Sequence, residues 1–158
     1  MNKRFVCFDI NQRGRNGETL LHLCFTNGSI IHMILAKRLL KAFPNMINDI
    51  FISEEYYGQS ALHMAIVNED IEMVKLLILL GANLNQRCVG KFFLPDDQKK
   101  KAKGIFDENP VLPVKTNYES LSYFGEYPIS FAAVLGQEDC VRLLITKGAN
   151  LNLQDSNG

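Results

Sequence analysis

The chain has 158 residues and is 47% hydrophobic, enough to bury a core, yet no apolar run approaches the roughly 18 residues that cross a bilayer as a helix. Its 17 basic residues are balanced by 17 acidic ones, so no net field gathers DNA or RNA, and nucleic-acid binding is not expected. No basic start followed by an apolar core and a small-residue cleavage site marks a secretory signal.

Taken in order, residues 1–11 end in Asp9-Ile-Asn11, which reads as the tail of a repeating unit. The first full unit, residues 12–52, opens with Gly17-Glu-Thr-Leu-Leu-His22. The second, residues 53–85, opens with Gly58-Gln-Ser-Ala-Leu-His63, continues through Val74-Lys-Leu-Leu-Ile78 and closes with Gly81-Ala-Asn-Leu-Asn85. Within it Ala61, Leu62, Ala65 and Ile66 fall on one face of a short helix. Ile71, Val74, Leu77 and Ile78 line a longer one that Asp70 is placed to cap. Residues 86–124 carry no apolar stripe at helical spacing, and Pro95, Pro110 and Pro113 would break helices there, so a long loop is expected. The third unit, residues 125–152, repeats the pattern as Gly125-Glu-Tyr-Pro-Ile-Ser130, Val141-Arg-Leu-Leu-Ile145 and Gly148-Ala-Asn-Leu-Asn152. Residues 153–158 contain Asp155-Ser-Asn-Gly158, the way a next unit would open, and both ends therefore read as cut from a longer protein.

These units resemble ankyrin repeats, which have a period of about 33 residues and a Thr-Pro-Leu-His opening. The distance from Gly81 to Gly148 is roughly twice that period, which leaves room for one enlarged finger loop. Helix pairs with such narrow apolar stripes cannot enclose a core alone and must stack on their neighbours, so the expected fold is an all-α ankyrin-repeat solenoid. Gly81 and Gly148 follow the second helix of their units, where a left-handed turn costs a residue with a Cβ about 1–2 kcal/mol. Leu76 is expected among the stacked leucines. His22 and His63 hold the repeat's histidine position, where the ring stiffens the stack through hydrogen bonds to backbone; Ser130 stands there in the third unit.

Little in the chain suggests chemistry. Cys7, Cys24, Cys88 and Cys140 are scattered, with no Cys-x-x-Cys pair and no histidine at ligand spacing, so no metal or other cofactor is expected. Cys24 and Cys140 fit buried structural thiols, while Cys88, at the root of the long loop, is the one to test for reactivity. No nucleophile, base and orienting acid stand in a readable arrangement, and a non-enzyme is expected. The loop is different. It contains Gly90-Lys-Phe-Phe93, the basic run Lys99, Lys100, Lys101 and Lys103, and then Tyr118, Tyr123 and Phe124. Loops of this length are commonly functional, and exposed aromatics supply anchor area at interfaces. Phe92, Phe93, Lys99, Lys100, Lys101, Tyr123 and Phe124 are therefore candidate partner-binding residues.

The run Tyr123-Phe-Gly-Glu-Tyr-Pro-Ile-Ser-Phe-Ala-Ala133 after an enlarged finger, with Tyr56-Tyr-Gly-Gln-Ser-Ala-Leu-His63, resembles the ankyrin repeats of vanilloid-type transient receptor potential (TRPV) channels. With Asp9-Ile-Asn-Gln-Arg-Gly14 the likeness looks closest to invertebrate sensory members. The resemblance implies tetrameric, often calcium-permeable cation channels whose ankyrin domain lies on the cytosolic face of the plasma membrane. It also implies neighbouring channel subunits as partners of the enlarged finger, and regulatory proteins such as calmodulin. Some members bind nucleotide on the concave face. Tyr57 and Gln59 match contact types there, but Glu18 and His22 stand where those members have phosphate-holding lysines, so nucleotide binding is not expected. The alternative is a freestanding ankyrin scaffold that recruits proteins without a membrane part; an ankyrin array fused to a catalytic domain is a further one.

Overall fold

The computed structural model describes residues 9–94 and 123–156. Among the described residues three helix pairs follow one another: α1 (Leu20–Asn27) with α2 (Ile30–Ala42), α3 (Ala61–Val67) with α4 (Ile71–Leu79), and α5 (Pro128–Val134) with α6 (Glu138–Thr146). Single 3-10 turns lie at Pro44–Asn48 and Lys91–Phe93. Each pair packs internally, α1, α3 and α5 pack in a row, and α4 rests against α6. The described residues are thus an all-α stack, as the stripes required.

Local chemistry sets the helix ends. The Asp70 carboxylate accepts the amide of Met73 at 3.0 Å and caps α4. In α1 the cap is built around a histidine: the Thr19 amide donates to His22 Nδ1 at 3.1 Å, and the Thr19 hydroxyl lies 3.0 Å from the same nitrogen. Ser60 and His63 repeat that arrangement at 3.2 and 3.0 Å. The third pair starts differently, with Pro128 in the first turn, where a missing amide proton costs nothing. Gly81 and Gly148 close α4 and α6 with φ of 93° and 91°, the left-handed region expected of them. Gly58 is more tightly constrained, because a Cβ there would collide with the carbonyl of Arg87 in the following finger.

Between the pairs, Leu21, Ala61, Ala65, Ile66, Val74, Leu77, Ala132 and Leu144 are wholly buried. Leu76, expected among the stacked leucines, is only half-buried, and Leu77 and Met73 fill the interior instead. One residue is about 100° of helix turn, so the 73/74/77 stripe that faces the stack leaves position 76 on its flank.

Each junction between repeats is also tied by side-chain amides. At the turns that follow the second helix of a pair, Asn48 Oδ1 accepts the amide of Asn83 at 2.7 Å, and Asn85 Oδ1 accepts that of Asn150 at 2.9 Å. At the turns within the pairs, Asn68 Nδ2 donates to the carbonyl of Phe25 at 2.9 Å and Gln137 Nε2 donates to that of Ile66 at 2.6 Å.

Candidate interaction surface

The finger that leaves the first repeat folds back over the second. Phe51 donates its amide to Gln59 at 2.9 Å, and the only residue pair bridged in strand fashion among the described residues is Ile50 with Ser60. Above this turn a line of rings runs along the stack. His22 lies 4.4 Å from Phe51, Phe51 lies 5.8 Å from Tyr56, and Tyr56 lies 5.3 Å from Phe92. Phe93 continues the line to Phe131 at 5.7 Å, and Phe131 meets His63 at 4.9 Å and Phe124 at 5.4 Å. Such tilted and edge-on pairs add roughly 0.5–1.5 kcal/mol each beyond the area they bury.

The start of the long finger is held by its backbone. Val89 and Gly90 donate to the carbonyl of Tyr57 at 2.9 and 3.1 Å, Lys91 to that of Glu54 at 3.0 Å and Phe92 to that of Glu55 at 2.9 Å. The Lys91 ammonium also pairs with the Glu54 carboxylate. Fixed in one 3-10 turn, two consecutive side chains must diverge. Phe92 is 53% exposed, whereas Phe93 is 3% exposed and wedged against Phe131. The expectation that both are exposed aromatics is therefore corrected, and Phe92 alone presents its ring to solvent. Tyr123 and Phe124 are half-buried at the far root of the finger. The Tyr123 hydroxyl is pushed above the ordinary tyrosine range by burial first, then by the negative charges of Glu126 and Asp155. Lys99, Lys100 and Lys101 lie outside the described residues.

Below Phe92 is a concavity of about 410 Å³ whose lining includes Glu18, Leu23, Tyr56, Gln59, Val67 and Phe92. Tyr56 and Gln59 line this concavity, and the Tyr57 carbonyl accepts the amides of Val89 and Gly90. Glu18 brings a carboxylate into the lining, its Oε2 accepting the Asn16 amide at 2.7 Å. His22 is wholly buried and takes no part.

Buried groups behave structurally. Burial lowers the His22 pKa to about 4, with the Asp49 carbonyl, 3.2 Å from Nε2, opposing the shift and the Arg13 charge adding to it. Burial lowers His63 to about 3, offset in part by the backbone of Glu126 and Gln86. Both rings are neutral at neutral pH. Cys88 is not a reactive thiol: it is wholly buried, burial raises its pKa well above the usual range, and its Sγ donates to the Glu126 carbonyl at 3.2 Å. Cys24 and Cys140 are buried, and burial raises their pKa as well. Among the described residues no cluster of three His, Cys, Asp or Glu converges to hold a metal.

The Asn48 and Asn68 tethers, the Tyr56 ring and a buried carboxylate at Glu126 were not anticipated. The recurring Asn-Leu-Asn at Asn83 and Asn150 was the available signal for the first, since a repeated polar residue at a turn implies a repeated bond. For Glu126 the signal was the Gly-Glu-x-Pro motif itself, a charge placed directly before a buried helix start.

Paired helices stacked in a row define a helical-repeat array, and the chain belongs to the ankyrin-repeat family. The family profile "Ankyrin repeats (3 copies)" matches residues 2–88, and the single "Ankyrin repeat" profile matches residues 124–156. The particular relatives are channels. Over 150 residues, 95% of this chain, it is 33% identical to transient receptor potential cation channel subfamily V member 5 of Rattus norvegicus. It is 34% identical over 149 residues, 94% of the chain, to subfamily V member 6 of Homo sapiens, and 34% over 119 residues, 73% of the chain, to human member 2. The chain fits the ankyrin region of a TRPV channel and spans 17% of the length of rat member 5, 16% of human member 6 and 13% of human member 2. These relatives are mammalian, and closeness to invertebrate members stays an expectation. Among the described residues no helix is long and apolar enough to cross a membrane.

Proposed function

We propose that this chain is the N-terminal cytosolic ankyrin-repeat segment of a TRPV-like, calcium-permeable, tetrameric cation channel at the plasma membrane, and that it serves subunit assembly and regulatory protein binding rather than catalysis. The likeness to cation channels over 95% of the chain carries the reading. Phe92 supports the assembly role. A large ring held 53% in solvent by a backbone-anchored turn carries little ordering cost into an interface, which suits an anchor residue. Neighbouring subunits are its proposed partner, and calmodulin-type proteins are the proposed occupants of the rest of the surface. Nucleotide is disfavoured because a phosphate would face the Glu18 carboxylate.

The test is made in the full-length channel. Phe92→Ser is expected to lower the yield of cross-linked tetramer and the calcium current while leaving monomer abundance unchanged. Normal tetramers with normal current would remove the assembly role. A full-length protein that conducts no cations in a planar bilayer would remove the channel reading itself.

A further inference from the structure

We propose that Arg87, Glu126 and Ser156 form a clamp that couples the base of the long finger to the opening of the next repeat, so that order at one site is transmitted to the other. The proposal does not depend on the channel reading. Glu126 is wholly buried, and a carboxylate out of water persists only when paired and hydrogen-bonded. Both of its oxygens are engaged. Oε2 pairs with Arg87 Nε, while Oε1 accepts the Ser156 amide at 3.1 Å and the Ser156 hydroxyl. Arg87 also donates from its terminal nitrogen to Ser156 Oγ at 3.3 Å, which closes a triangle among three segments far apart in sequence.

The backbone of the same glutamate completes the device. Its carbonyl accepts the Cys88 amide at 2.8 Å, joining the two ends of the finger at their root. From Cys88 the chain runs directly to Val89 and Gly90, which are fixed to Tyr57 of the preceding finger. One buried side chain therefore lies between the segment that leads into Phe92 and the first residues after the third repeat.

The other junction ties are neutral amides, whose loss strands no charge. A charged pair with one member wholly buried behaves differently, because loss of the Arg87 or Ser156 arm leaves the enclosed Glu126 carboxylate short of a partner. That property makes the network suited to coupling rather than to local fastening alone.

Amide hydrogen exchange on the full chain tests this. Ser156→Ala removes a hydroxyl at the far corner that bonds Glu126 and Arg87 and none of the Cys88, Val89 and Gly90 amides. It is expected to speed exchange at Cys88, Val89 and Gly90 by about tenfold, together with position 156, while the amides of α1 keep their rates. Glu126→Gln should give the same pattern with a larger increase. Coupling is overturned if Ser156→Ala changes position 156 alone, or if the increase spreads evenly through α1 to α6. Ser156→Ala decides the matter by itself should Glu126→Gln fail to fold.

Discussion

Asn85 Oδ1 accepts the backbone amide of Asn150 at 2.9 Å, although the two residues belong to different repeats and lie 65 positions apart. The asparagine that ends one Asn-Leu-Asn motif thus secures the asparagine that begins the next. Replacing Asn85 with alanine should cost about 1 kcal/mol, the ordinary net value of such a bond. Urea unfolding of Asn85→Ala beside Asn150→Ala measures it. Asn150→Ala keeps this tether, which uses its amide, and loses instead the bond its Oδ1 accepts from the Asn152 amide at 2.9 Å; an Asn85→Ala variant as stable as the parent would contradict the assignment.

Among the leucines of α4, stacking energy is expected at Leu77 and not at Leu79. Leu77 is wholly buried, so Leu77→Ala is expected to destabilise by about 2–5 kcal/mol. Leu79 is 82% exposed, and Leu79→Ala should stay within roughly 0.5 kcal/mol of the parent. Thermal or denaturant unfolding of the pair separates interior from surface. A Leu77→Ala variant as stable as the parent would contradict the stacking.

Acid should loosen the stack through its two histidines. Their folded pKa values, about 4 for His22 and about 3 for His63, lie below the ordinary 6.5, so the unfolded chain takes up protons first. The stabilisation is therefore complete above about pH 6.5 and is lost as pH falls towards 4, by on the order of 3 kcal/mol for His22. Unfolding free energy measured from pH 7.5 to 4.5 should decline across that window. In His22→Gln the decline should be shallower, and an unchanged slope would remove His22 as a source.

Phe92 and Phe93 should separate cleanly. Phe93→Ser opens the interior against Phe131 and places a hydroxyl there, for an expected loss of about 3 kcal/mol or more. Phe92→Ser should change stability by less than roughly 1 kcal/mol, since half the ring already meets water. Unfolding curves of the two variants check the contrast. Equal effects would mean the two rings share one environment.

Cys88 should resist alkylation by a thiol reagent in the native protein and react only on unfolding. Its burial and raised pKa both withhold the thiolate. Mass spectrometry after a timed exposure gives the answer, and rapid labelling at Cys88 under native conditions would contradict its burial.

The helix pairs, the Asp70 cap and the left-handed glycines Gly81 and Gly148 were legible in the sequence because each depends on neighbours within one or two turns. The faces Ala61, Leu62, Ala65, Ile66 and Val74, Leu77 follow from helical periodicity alone. The site was less legible. Whether Phe92 or Phe93 turns outward depends on backbone bonds from the finger to Glu54, Glu55 and Tyr57, which no local pattern announces. The same is true of Tyr56, which lines the concavity beside Gln59. Arg87 and Glu126 meet because the two ends of the finger join at its root, and the enclosure of Cys88 follows from the same long-range contact.

The amide tethers occur in pairs: Asn48 and Asn68 fasten the first junction, Asn85 and Gln137 the second. A plate held by one rivet swivels, but a second rivet at a distance stops the rotation. Neighbouring repeats so fastened resist pivoting, and a tilt imposed on one is handed on to the next as torque.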